Sequence, residues 1–163
     1  MQRLVTIAVS TYVWLLRLLV ILIVAIVAIA VVFRYVFNAP LIFSFDFAVI
    51  LFVWLVFLGL ARAAHEGAHL AVDMLTALLP HRLALATEVA MRLLMITIAV
   101  FIAFHAYDLT TRTRMEIATM RISMAWLYAA VPTGFTLFAL YEVYALWCRA
   151  TGRALPHATG GVL

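Results

Sequence analysis

The run HEGAH, from His65 to His69, holds the residues whose types and spacing most directly suggest chemistry. Two histidines at i and i+4 on one helix, with a glutamate between them, hold zinc and activate its water in many proteases. A third ligand is hard to supply. Asp108 falls at the far end of another helix, about a membrane thickness away, which leaves Glu88 or Asp73 as forced choices. Gly67 inside the run also costs a helix roughly 1 kcal/mol relative to alanine. Haem ligation fails on depth, because His105 lies 25 residues beyond Pro80 and so reaches the opposite face from His65 and His69. A lone Cys148 excludes a disulfide framework within the chain and any four-cysteine metal site. The residues therefore predict no cofactor and no metal.

Other polar residues interrupt apolar sequence. Arg17, Glu88, Arg92 and Glu142 fall at similar shallow depth toward one membrane face. They either snorkel to headgroups or form an interhelical cluster that sets how helices one, three and four meet. Near the midplane only the Pro132 bend stands out, so the chain does not read as a complete transporter. Ala125, Ala129 and Thr133 recur every four residues, as do Ala130 and Gly134, a spacing that lets helix backbones approach within this chain or across a subunit boundary. Trp54 lies eight residues past Asp46, about 12 Å into the bilayer and too deep for an interfacial belt. It is expected to face lipid or a partner, with Gly59 completing a partner hot spot. His69 and Asp73 share a helical face and either satisfy each other or meet a partner's backbone. Arg34 and Asp46 mark the outer face.

The composition fixes what positions these residues. Of 163 residues, 69% are hydrophobic and 11% charged, against roughly 45–50% and 25% in soluble domains. This is an all-α integral membrane protein, expected to form one four-helix domain over 1–163. Helix one is predicted at 13–33, ended by Asn38 and Pro40. Its exit, FRYVFNAP, suits a retained anchor better than a cleaved signal. Helix two is predicted at 44–64, with Ser44 as cap and Asp46 in the first turn. A short amphipathic helix at 69–79 is expected to lie in the interface. Helix three follows at 82–109, extended into water by a ladder of Asp108, Arg112 and Glu116. Helix four, at 125–147, bends near Pro132 and Gly134.

All eleven cations are arginines and the net charge is +4. In a membrane chain this reads as topology rather than nucleic-acid binding. Cytoplasmic termini leave Arg34, Arg112, Arg114 and Arg121 outside and the other seven inside, although three of the outer four share one connection.

Several of these residues also carry a resemblance. Arg34 after helix one, Ser44 and Asp46 at the start of helix two, VWLVFLG from Val53 to Gly59, Gly67 and His69 followed by Val72 and Asp73, then Leu79 and Pro80, and finally Trp126, Tyr128, Pro132 and Gly134 match one family in order and spacing. The chain resembles, over essentially its whole length, the small membrane subunit of tripartite ATP-independent periplasmic (TRAP) transporters, the DctQ-like family. It departs where Asp46 replaces the more usual glutamate and where His65 and Glu66 replace basic residues, which makes HEGAH a substitution within a hinge.

The resemblance implies a subunit of the bacterial inner membrane within a three-part uptake system. A periplasmic substrate-binding protein captures an organic acid, a large membrane subunit moves it with sodium, and this chain supports the large subunit amid membrane lipid. An intramembrane zinc metalloprotease and the small subunit of a tripartite tricarboxylate transporter are the alternative readings.

Overall fold

Asparagine closes the first helix. α1 (Gln2–Tyr35) stops where Asn38 adopts a left-handed backbone, φ 51°, and the Ala39 N–H reaches back to the Phe33 carbonyl. Asparagine enters this region more readily than other residues that carry a side chain. The structure, a computed structural model, describes residues 2–65 and 80–151. HEGAH beyond His65, the expected interfacial helix at 69–79, and His69 and Asp73 lie outside the described residues.

α1 is longer than its apolar stretch predicts, 34 residues or about 51 Å at helical rise. Hydropathy located the span but not the helix end, because no proline or glycine lies between Gln2 and Tyr12 to stop it.

α2 (Phe43–His65) begins one residue before the expected cap. Ser44 is therefore buried inside the first turn rather than at the cap position, and its hydroxyl donates to the Leu41 carbonyl at 2.6 Å. Asp46 does occupy the first turn.

α3 (His81–Arg112) ends at the extended Thr113, φ −69° and ψ 121°. The Asp108–Arg112 pair forms at 2.7 Å. Glu116, however, is not a third rung on this helix. Thr110, Thr111 and Thr113 turn their hydroxyls back onto helix carbonyls, a habit of residues that compete with helical backbone bonding. Glu116 instead opens a small antiparallel hairpin, β1 (Glu116–Ile117) against β2 (Ile122–Ser123), with Glu116 opposite Ser123. Arg121, at φ 52°, turns the hairpin, and Ile117 is buried.

The expected fourth helix is two segments, α4 (Ala125–Tyr128) and α5 (Ala130–Ala150), which together make one span. Pro132 has no N–H to offer the Tyr128 carbonyl, and the neighbouring Thr133 N–H to Ala129 bond is stretched to 3.3 Å. The interruption therefore falls at Ala129, upstream of the proline that causes it.

Among the described residues, four helices are thus long and apolar enough to cross a membrane. They do not close into a ring. α1 packs on α2, α2 on α5, and α5 on α3, so the described helices form an open row with α1 and α3 at its edges. Buried residues are few and small, chiefly Ala99, Ala130, Ala139, Ala145 and Cys148, while large apolar side chains such as Ile21, Phe52 and Phe101 point outward. In a membrane such a surface suits lipid or neighbouring spans. Closest approach occurs at Gly134, where an added Cβ would sit 2.4 Å from the Phe57 carbonyl oxygen.

Candidate functional site

Helical spacing puts Glu88 and Arg92 on one face of α3, turned toward Glu142 on α5. Arg92 Nη1 donates to Glu142 Oε2 at 2.9 Å, and its Nε lies 3.5 Å from Glu88 Oε1. Glu142 is wholly buried. A charge removed from water and lipid headgroups needs such a partner, since isolating it costs several kcal/mol. Glu88, Arg92 and Glu142 thus meet between α3 and α5.

Arg17 is not part of this cluster. Its guanidinium lies 5.6 Å from the Trp14 ring centroid on α1, a helix whose principal contact is α2. Depth along a helix was readable from sequence, but which helices stand side by side was not.

A second group of contacts ties α2 to both neighbours. Tyr12 on α1 donates its hydroxyl to the Leu58 carbonyl. Trp54 was expected to face lipid or a partner, but its indole N–H donates to the Trp126 carbonyl at 3.0 Å. The indole thereby holds α2 against α4, at the point where the Pro132 break loosens the fourth span. At the same end of the bundle Thr119, in the hairpin turn, donates to Asp46. Tyr12 and Thr119 were missed from sequence. Thr119 sits in a loop with no Asn-Gly or Asp-Gly signal that would have announced a hairpin.

The remaining candidates are spread over the surface. Gly59 has open space where a Cβ would stand, so it is not the small neighbour of a buried Trp54. Among the small residues of the fourth span, Ala130 and Gly134 make the tight internal contact. Ala129 and Thr133 instead line an apolar groove of about 890 Å³ between α3 and α5, with Val100, Phe104 and Leu137. Ala125 is half-buried at the start of α4. Arg34 is exposed in the last turn of α1. Among the described residues no three His, Cys, Asp or Glu side chains gather as metal ligands.

A buried ion pair, a row of spans and wide apolar faces describe a membrane protein, and comparison with known proteins says which kind. The profile of the family described as "Tripartite ATP-independent periplasmic transporters, DctQ component" matches residues 23–152. The chain is 34% identical over 100 residues to the sialic acid TRAP transporter permease protein SiaT of Haemophilus influenzae, covering 61% of this chain and 16% of that protein. It is 30% identical over 100 residues to a putative TRAP transporter small permease protein of another H. influenzae strain, covering 61% of each. The matches thus span about a sixth and about three fifths of the two relatives. Members of the family are transport components rather than enzymes, which sets aside the protease reading of HEGAH, and the family match likewise favours TRAP over the tricarboxylate system. This multi-pass membrane chain belongs to the DctQ family of TRAP transporter components.

Proposed function

We propose that the chain is the small permease subunit that supports the large membrane subunit of a TRAP transporter in sodium-coupled, binding-protein-dependent uptake of an organic acid. One observation carries this reading: the described ionisable groups inside the bundle are spent on holding α3 to α5, while the row leaves broad apolar faces for other membrane partners. The match to 16% of SiaT adds support, because there a similar stretch is joined to a much longer permease chain. Seven arginines on the side of both termini favour a cytoplasmic location for them in the bacterial inner membrane. A periplasmic binding protein would then meet the side that carries the hairpin.

Two faces are candidates for the large subunit. The first is α2 around Gly59, continued by the hinge with His69 and Asp73. The second is the groove side of α5 at Ala129 and Thr133. Gly59 is preferred, since it leaves open space amid the bulky Trp54, Val56 and Leu60 of the same helix.

Affinity purification through a tagged large subunit tests the proposal. Wild type should co-purify, and Gly59→Leu should abolish recovery while leaving the chain inserted. Loss of recovery with Thr133→Leu instead would move the contact to α5, and recovery of neither variant's wild-type parent would reject the subunit role. In proteoliposomes of the whole system, organic-acid uptake that ignores a sodium gradient would remove the coupling claim.

A further inference from the structure

At the end of the bundle that carries the hairpin, α1, α2 and the connection between them line a cleft of about 460 Å³. Its walls are apolar, with Val27 and Val31 from α1, Leu41 from the connection, and Phe45 and Ala48 from α2. Phe45 is 74% and Val31 49% exposed to anything that enters. Ser44 also lines the cleft, but its hydroxyl is committed to the Leu41 carbonyl. At the mouth stand Arg34 and Tyr35, the last two residues of the helix that matter here, and neither side chain has a protein partner among the described residues. Asp46, the nearest carboxylate in sequence, is engaged by Thr119.

An apolar cleft with one unneutralised guanidinium and one phenol at its rim calls for a ligand with an apolar body and an anionic head. The α3–α5 groove offers no such rim: its lining contains no charged residue. The position of Arg34 one turn from the water side of a span also matches headgroup depth, where arginines reach phosphate. We infer that the α1–α2 cleft is a binding site for one anionic phospholipid, with an acyl chain between the helices and its phosphate held by Arg34 and Tyr35. This goes beyond support of a large subunit and does not depend on it.

Native mass spectrometry of the delipidated full chain, titrated with phosphatidylglycerol, tests the site. Wild type should retain one phosphatidylglycerol and hold diacylglycerol of the same acyl chains at least about five-fold less well, the effect of roughly one arginine at the membrane surface. Arg34→Gln should lower phosphatidylglycerol retention about five-fold, and Arg34→Lys should keep most of it. Ala48→Trp should displace the lipid from the α2 side with Arg34 intact. Ala30→Phe does the same from the α1 side if the tryptophan variant does not fold by circular dichroism. Retention unchanged in Arg34→Gln and in the filled-cleft variants would overturn the site, as would equal retention of diacylglycerol or displacement by inorganic phosphate. Loss of the large subunit from Ala48→Trp with lipid retention unchanged would assign the cleft to a partner helix instead.

Discussion

α1 and α5 are both long, apolar spans, yet they belong to opposite kinds of surface. α5 stands in the middle of the row and presents Ala130, Gly134, Ala139, Ala145 and Cys148 to its neighbours, with Glu142 buried among them. α1 stands at an edge, and Leu19 is its one buried side chain among those described. The first span is also the more apolar of the two, but apolarity alone does not bring helices together in lipid. What separates the two roles is side-chain size: without a hydrophobic drive between helices in lipid, close approach of backbones has to supply the attraction. A helix that carries small residues on one stripe becomes a hub, and one clothed in valine and isoleucine stays at the rim.

The comparison breaks most sharply at the ion cluster. Arg92→Ala leaves Glu142 buried without its closest counter-charge and should cost about 3–5 kcal/mol, seen as lost monodisperse protein and a lowered Tm in detergent. Pairing it with Glu142→Gln should recover a substantial part of that loss. Gly134→Ala comes next, since its methyl group meets the Phe57 backbone; about 1–3 kcal/mol is expected. The same change at Gly59 meets open space and should leave the Tm of the isolated chain undiminished. Equal effects at the two glycines would show that close backbone approach is not what makes α5 the hub. Trp54→Phe removes the bond to the Trp126 carbonyl and should cost about 0.5–1.5 kcal/mol. Smallest of all, Ile21→Ala on the lipid face of α1 should stay within about 0.5 kcal/mol by equilibrium unfolding in mixed micelles.

Much of this architecture was legible beforehand, for reasons that differ by element. The four spans follow from apolar runs long enough for the bilayer, and the α1 stop follows from Asn38 and Pro40. Asp108 with Arg112 was readable because both partners lie on one helix. Arg92 with Glu142 was half readable: depth grouped them, but it grouped Arg17 with them as well, and only lateral order in the row removes it. The small residues of the fourth span gave two equivalent stripes, and sequence spacing carries no information about which one points at α2. The hairpin was invisible, since Ala118 to Arg121 contains none of the usual turn residues and the positive φ falls on an arginine. Depth alone does not reveal the partner of Trp54, whose N–H finds a carbonyl 72 positions further along the chain.

That separation has a consequence in time. α1 and α2 are made first and can associate at once through Tyr12 and Leu58, but the backbone on which Phe57 rests and the carbonyl that Trp54 needs do not yet exist. At roughly 5–20 residues per second, the ribosome takes about 4–14 s to add the intervening 72 residues. Throughout that interval the future contact face of α2 is bathed in lipid with an indole N–H to satisfy. The second helical hairpin must therefore displace lipid from a finished first one, and assembly of the row is a meeting of two preformed halves along the Phe57–Gly134 seam.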